Sequence, residues 1–242
     1  MNNTKDILGD FGYDPFLYLG GKNVEKLPED RDYVKDVRSV LKKYGDSLLL
    51  SYFNSMDELT IMDAAYFFSE LGVCSEELLM EVLPFLEYPN ESVRIHCLHG
   101  LNSNCKRLTV AHISKCVLVA NDQSWRVRSA LSDLLANIPN SILLNAIDNI
   151  ADNSVRALHK KGSLFITDAA DVNETMDKYL NVSNIEKCYI LIAYLKNASL
   201  GYYPEIMEKH KEIPEVNILV SHLERLRKLY TRLKPPAARV SC

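Results

Sequence analysis

Residues 121–135 read NDQSWRVRSALSDLL, and the fold prediction depends on this stretch. Its polar loop contains Asn121 and Asp122, and Ser124 lies four residues before Arg128. Apolar residues then recur at helical spacing from Val127 onward, and Arg128 follows that valine directly. The stretch therefore predicts a loop that leads into an amphipathic helix opening with a Val-Arg pair.

The same plan occurs twice more in the chain. Residues 85–101 read FLEYPNESVRIHCLHGL, and residues 147–165 read IDNIADNSVRALHKKGSLF. The arginines of the three copies, Arg94, Arg128 and Arg156, are 34 and 28 residues apart, within the range of repeats built from helical hairpins. A helical hairpin cannot bury its apolar faces alone, so neighbouring hairpins are expected to stack.

The repeat resembles the HEAT-repeat family, whose second helix opens with Asp-x-x-Val-Arg followed by small and apolar residues. The Val-Arg pairs, Asp152 and the Ala, Leu and Cys positions after each arginine carry the resemblance, which covers residues 75–166. It departs from the family in the third copy, where His159 and Lys160 stand at positions that the family fills with alanine. The resemblance implies an α-solenoid of helical hairpins.

The flanking sequence completes the domain prediction. We expect an irregular, aromatic-rich arm at residues 1–29, a single all-α solenoid domain at residues 30–234 and a frayed tail at residues 235–242. Residues 183–197 are apolar around most of a helix and predict a buried helix. A last helix is expected at residues 215–233.

Local signals mark the ends of several predicted helices. Gly45 is expected to stop the first helix, and Gly72 the second. Ser55 and Glu58 have the spacing of a capping box at the start of that second helix. Pro84 predicts a kink or a loose second half in the helix that contains it.

Composition bounds the function. The net charge is −4, but residues 221–242 hold six Lys or Arg against one Glu, which leaves about −9 for the rest of the chain. An acidic body disfavours non-specific nucleic-acid binding and favours a basic protein partner. The longest apolar run has eight residues, too short to cross a membrane, and six cysteines without a CxxC pair predict a cytoplasmic protein with reduced thiols.

The repeat arginines have a predicted structural role. An arginine near a helix N-terminus is poorly placed for the helix dipole. We expect Arg94, Arg128 and Arg156 to bond a loop carboxylate or carbonyl of the adjacent repeat through the planar guanidinium group. Ligand binding by these arginines is the less favoured interpretation.

The candidate partner-binding residues come from aligning the repeats on their arginines. The alignment places His99, Asp133 and Lys161 at one exposed step, with His96 one helical turn before His99. Trp125 and Arg126 have no counterpart in the other copies, although Trp125 packed against a loop is the simpler interpretation. If the second helices line a groove, we expect the following residues to face it: Trp125, Arg126, Asp133, His96, His99 and Lys161.

No catalytic, cofactor or metal signature is present. The sequence lacks GxSxG, HExxH, GxGxxG and GxxxxGK motifs, and the His96–His99 pair has no third zinc ligand on its helix. Carboxylates on helix starts and polar faces predict an acidic strip that recruits a basic protein. These carboxylates are Asp57, Glu58, Asp63, Glu70, Glu76, Glu77 and Glu81.

Three functions remain open at this point. The favoured one is a non-enzymatic protein-binding module, similar in size, charge and architecture to bacterial immunity proteins that neutralise a basic, nuclease-type toxin. The second is an enzyme resembling the alkylpurine DNA glycosylases, supported by Trp125, Arg126, Arg128 and the basic C-terminal helix. The third is a scaffold subunit of a larger assembly.

Overall fold

The computed structural model describes residues 33–167, 179–198 and 213, and over these residues the chain is helical without strands. Its α-helices are α1 (Tyr33–Phe53), α2 (Glu58–Leu71), α3 (Glu76–Val82), α4 (Glu91–Ser103), α5 (Val110–Leu118), α6 (Trp125–Ala136), α7 (Asn140–Asp148), α8 (Asn153–Thr167) and α9 (Asn184–Ala198). The all-α prediction is confirmed for this part of the chain. The expected arm at 1–29, the helix at 215–233 and the tail at 235–242 lie outside the described residues.

Glycine and proline interrupt the helices where the sequence predicts. Gly45 has non-helical dihedral angles (φ 4°, ψ −98°) and kinks α1. Gly72 ends α2 with a φ of 77°, in the left-handed region that favours glycine. Pro84 lies in a 3₁₀ helix, Leu83–Glu87, which replaces the second half of the helix expected there.

Helix α2 begins differently from the prediction. The carboxylate of Asp57 accepts hydrogen bonds from the backbone N–H and the hydroxyl of Thr60, at 3.0 and 2.6 Å. The expected capping box between Ser55 and Glu58 is therefore wrong. A carboxylate is a stronger acceptor for the exposed N–H groups than the Ser55 hydroxyl, which instead accepts from the N–H of Asp57 at 3.1 Å.

Helices α2, α4 and α6 run side by side in the same direction. Their N-caps are Asp57, Asn90 and Ser124, which follow one another at nearly equal intervals along the chain. Asn90 at the start of α4 reaches Glu58 at the start of α2, with 3.3 Å between Nδ2 and Oε1. At the other end, the C-cap Asn104 of α4 donates to the carbonyl of Gly72 at 2.7 Å.

The same register holds between α4 and α6. At the N-terminal ends, Arg126 of α6 pairs with Glu91 of α4 at 3.1 Å. At the C-terminal ends, Asn102 donates to the carboxylate of Asp133 at 2.9 Å, and Asn137 donates to the side-chain oxygen of Asn102 at 3.0 Å. These pairs place equivalent residues of the two helices at the same height along the helix axes.

Helix α9 packs along both α6 and α8. It runs parallel to α6, because Asn184 donates to the carbonyl of Asp122 before α6 at 3.4 Å, and Lys196 donates to that of Ile138 after α6 at 2.6 Å. The helix packed along α6 is thus α9, and the third Val-Arg helix, α8, packs against the other side of α9. The prediction of a buried helix at 183–197 is confirmed, because residues 188–194 of α9 are buried.

Two glycines allow close helix contacts. A Cβ atom on Gly100 of α4 would overlap the ring of Phe68 on α2, and one on Gly162 of α8 would overlap the ring of Tyr189 on α9. Both approaches are far closer than van der Waals contact permits. These positions therefore require glycine for the observed helix spacing.

Candidate functional site

The Val-Arg pairs build the loops that position the parallel helices. Val93 and Val127 are fully buried. Arg94 donates to the carbonyls of Tyr88 and Pro89, at 2.7 and 2.9 Å, which are six and five residues earlier in the chain. Each guanidinium group thus closes the loop that precedes its own helix.

The same loop contacts recur in the other two copies. Arg128 donates to the carbonyls of Asp122 and Gln123, at 2.7 and 3.0 Å, and Arg156 donates to that of Ile150 at 2.9 Å. These bonds lie within one repeat, whereas the sequence predicted bonds between repeats. The local bond is geometrically easier, because a guanidinium group at the start of a helix lies beside the loop that enters it.

Arg94 also makes the expected contact between repeats. Its Nε and Nη2 atoms donate to the two carboxylate oxygens of Asp122 at 2.8 and 3.1 Å, and both side chains are largely buried. A bidentate pair of this kind fixes both distance and orientation. It therefore ties the α4 loop to the α6 loop and holds the two helices in register.

Equivalent residues line up across the parallel helices. Position nine after the N-cap is Tyr66 in α2, His99 in α4 and Asp133 in α6. Tyr66 was missed by the sequence analysis because α2 has no Val-Arg pair. The spacing along the sequence could have identified Tyr66, since Tyr66 precedes His99 by the same interval that separates the N-caps of α2 and α4.

The predicted site residues His99, Trp125, Arg126 and Asp133 meet in one groove between α4 and α6, with a volume of about 430 Å³. This groove, called the α4–α6 groove below, is open at the surface. Small and polar side chains complete its lining, together with one isoleucine: Ser69, Ile95, Asn102, Ser103, Ser129 and Ala130. Four of the six candidate residues thus line the same groove, and two of them, His99 and Asp133, occupy the step that the repeat alignment gave.

His96 lies beside the α4–α6 groove, among rings from two helices. Its ring meets those of Tyr66 and His99 edge to face, with centroids 5.4 and 6.3 Å apart. Its Nδ1 is 3.4 Å from the hydroxyl of Ser69. Burial, the neighbouring His99 and Arg126 together lower the pKa of His96, so its ring is neutral at pH 7.

Charges are unevenly compensated along the groove. At one end, Arg126 is paired with Glu91. At the other end, Asn102 occupies only one oxygen of the Asp133 carboxylate, and no other described residue bonds that carboxylate. The charge left for a ligand is therefore negative and lies near the C-terminal ends of α4 and α6, where the helix dipoles add further negative potential.

Lys161, the sixth candidate, lies on α8 and outside the α4–α6 groove. Its ammonium group is 2.9 Å from Oε1 of Glu186 on α9. The other oxygen of Glu186 accepts from the backbone N–H and hydroxyl of Ser183, at 3.1 and 2.7 Å, which caps α9. Burial alone would raise the pKa of Glu186, but these bonds and the charge of Lys161 outweigh it, so the pKa is lowered.

The chain before Arg94 is strongly acidic. Residues 44–93 carry ten Asp or Glu and no Lys, Arg or His. Among them Glu70, Glu77 and Glu87 are exposed. Exposed apolar side chains occur in the same segment: Met56, Leu59, Tyr66, Val73 and Met80.

Buried thiols offer no reactive group. Burial raises the pKa of Cys74 and Cys188 to about 11, that of Cys116 to about 12, and that of Cys97 further still. These thiols stay protonated at neutral pH, whereas nucleophilic attack needs the thiolate. Within the described ranges, no three His, Cys, Asp or Glu side chains converge as a metal site would require.

No protein-family model, no curated protein and no solved structure matches the chain. The helix spacing and the α4–α6 groove therefore carry the functional argument by themselves. None of the helices in the described part of the chain has the length and apolar character needed to span a membrane.

Proposed function

We propose that this chain is a non-enzymatic protein-binding module that holds a basic partner on the acidic segment of residues 44–93 and the α4–α6 groove. The observation that carries the proposal is the charge of residues 44–93, ten carboxylates with no basic side chain in the segment, next to a groove whose own uncompensated charge is negative. Such a surface attracts a basic protein and repels nucleic acid.

The architecture we propose is a HEAT-like α-solenoid. The nearly equal intervals between N-caps and the parallel course of α2, α4 and α6 support it. In solenoids of this kind, stacked second helices form an extended binding surface. Helix α9 would end that surface by packing along α6.

The most concrete form of the proposal is an immunity protein that neutralises a basic, nuclease-type toxin. Exposed apolar side chains within the acidic segment, such as Leu59 and Tyr66 on α2, support a protein partner, because protein interfaces combine apolar contact area with a polar rim. Charge complementarity would speed the association of such a pair.

Affinity capture with variants of known charge tests the proposal. The wild-type protein and the Glu70→Lys/Glu77→Lys/Glu87→Lys variant are immobilised, and source-cell lysate is passed over each. We expect the wild type to retain one basic protein, and the variant to lose it. The control is Lys160→Glu/Asp148→Lys, which exchanges the charges of a surface pair on α8 and α7 at 2.7 Å and should retain the partner.

Two results would contradict the proposal. One is an acidic partner, and the other is a basic partner that the triple variant retains as well as the wild type does. The identified protein is then assayed for nuclease activity with and without this chain. Inhibition at equal molar ratio is expected for an immunity protein, whereas a scaffold subunit would bind without inhibiting.

A DNA glycosylase remains the second candidate, because Trp125 shares the α4–α6 groove with Arg126. Enzymes that act on an extruded base stack it on aromatic side chains. The ion pair between Arg126 and Glu91 weakens this candidate, since binding several phosphates needs clustered, uncompensated cations. Retardation of duplex DNA with a steep salt dependence would favour it.

A further inference from the structure

The α4–α6 groove has two chemically different ends. Trp125 stands at the N-terminal end of α6, and Asp133 lies two helical turns further along the same line. Eight residues at about 1.5 Å each place their backbones about 12 Å apart. Between them, Ser129 and Ala130 are small, so a partner can approach the α6 backbone closely.

The Trp125 end suits an apolar side chain. The indole is partly exposed, and Ile95 and Ala130 also line the groove. No described ring stacks on the indole, and no described residue accepts a hydrogen bond from its N–H. Trp125 is therefore an aromatic surface with its contact area still available, as is typical of interface anchors.

The Asp133 end suits a cation. One carboxylate oxygen accepts from Asn102, and among the described residues nothing bonds the second oxygen. The side-chain oxygen of Asn102 accepts from Asn137 at 3.0 Å and points to the same end. Acceptors near two helix C-termini favour a group that only donates, which is the property of a guanidinium or ammonium ion.

Taking the proposed protein-binding function as its premise, we propose that the α4–α6 groove receives one helix of the basic partner, with an apolar side chain on Trp125 and an arginine or lysine on Asp133. A helix laid along the groove presents residues on one face at intervals of three and four. Side chains about eight positions apart in the partner helix match the distance between the two ends. Arginine fits better than lysine, because its planar group can bond two acceptors at once.

The single tryptophan of the chain provides the measurement. Alanine-rich helical peptides carrying one leucine and one arginine are added while the fluorescence of Trp125 is followed. In one peptide the two residues are eight positions apart, in a second they are two apart, and in a third glutamine replaces the arginine. We expect a saturable change for the first peptide and at least about tenfold weaker binding for the other two.

Variants of the groove make the test specific. Asp133→Asn removes the charge, and we expect about a tenfold higher dissociation constant for the first peptide. Its matched control, Asp148→Asn, removes an exposed carboxylate on α7 and should bind as the wild type does. His99→Lys adds a cation at the exposed step and should weaken binding without removing the contact between Asp133 and Asn102, so the test survives if Asp133→Asn is unstable.

Each outcome has a defined meaning. Equal binding by the three peptides, or by wild type and both groove variants, overturns this inference. The proposed function would still stand if lysate capture depends on Glu70, Glu77 and Glu87. A saturable change on adding a single-stranded oligonucleotide, unaffected by Asp133→Asn, would overturn the inference and favour nucleic-acid binding instead.

Discussion

The contact between α4 and α6 and the contacts that α9 makes with α6 and α8 differ in how far they bury the side chains between the helices. Polar pairs join both ends of the first contact, which leaves a groove of about 430 Å³. At the α9 contacts, residues 188–192 of α9 are fully buried. The position of a residue within its repeat therefore does not determine whether its side chain faces a groove or a buried contact. The helix packed beside it determines this.

Asp133 and Lys161 illustrate the difference. Both occupy the same step of the repeat, at the same distance after the arginine that opens their helix. Asp133 faces the groove and keeps part of its charge available, whereas Lys161 is paired with Glu186 of α9. The Asp133 carboxylate can therefore bind a ligand, whereas the Lys161 ammonium group is engaged in a contact between α8 and α9.

The largest expected difference between the two regions concerns their aromatic side chains. Tyr189→Ala removes a fully buried ring from the α8–α9 contact and should lower the free energy of unfolding by about 3–5 kcal/mol. Trp125→Ala removes a partly exposed ring from the groove and should cost less than about 1.5 kcal/mol. Chemical denaturation of both variants measures the difference. Equal losses would mean that Trp125 is a core residue.

Acid should destabilise the α8–α9 contact through His159. Burial lowers the pKa of this histidine to about 4, and its Nδ1 is 2.9 Å from the hydroxyl of Tyr189. Because an unfolded histidine titrates near pH 6.5, the stabilising contribution is full above pH 6.5 and is lost as the pH falls to about 4. The expected loss is about 2–3 kcal/mol.

Denaturation at several pH values tests this prediction. His159→Leu should remove this pH dependence, so that the stability of the wild type falls relative to that of the variant by about 2–3 kcal/mol as the pH falls from 7 to about 4. The control is Tyr189→Phe, which keeps His159 buried and should keep the pH dependence. A constant difference between wild type and His159→Leu from pH 7 to about pH 4 would contradict the assignment.

Steric substitutions should also separate the two regions. In Gly162→Ala the added methyl group would overlap the ring of Tyr189, so we expect a loss of about 1–3 kcal/mol despite the better helix propensity of alanine. Ser129→Ala in the α4–α6 groove should change stability by less than about 0.5 kcal/mol. Melting temperatures of the two variants provide the comparison. Gly162→Ala as stable as wild type would show that α8 and α9 can separate slightly.

The smallest expected effect concerns the repeat arginines. Arg94→Lys loses the bidentate pair with Asp122 and should cost about 1–2 kcal/mol. Arg156→Lys, at a position without a carboxylate partner among the described residues, should cost less than about 1 kcal/mol. Denaturant midpoints of the two variants give the comparison. Similar losses would show that the shared loop carbonyls, rather than Asp122, carry the contribution of Arg94.

The sequence predicted much of the helical framework because local signals control it. Gly45, Gly72 and Pro84 interrupt helices through their own backbone restrictions, and the Val-Arg pairs mark the loops that precede α4, α6 and α8. The start of α2 was misjudged by two residues, because two oxygen acceptors compete there and only the geometry shows that Asp57 is the cap.

The repeat pattern could not predict how α8 and α9 pack. The pattern describes each helix and its loop, but the choice between α8 and α9 as the neighbour of α6 depends on groups far apart in sequence. One example is the Ser132 hydroxyl, which donates to the carbonyl of Cys188 at 3.3 Å. The groove partners Glu91 and Asn102 were missed for the same reason. Each is an ordinary surface residue until the neighbouring helix supplies its contact.

The interval between the N-caps Asp57, Asn90 and Ser124 has a consequence for the growth of such a protein. A unit bounded by equivalent caps could be duplicated within the gene without cutting a helix, and each arginine would again follow two loop carbonyls at the same spacing. Duplication before Ser124 would lengthen the parallel face by one helix, while α9 would still pack along α6. The length of this face could thus change by copying one segment of the gene.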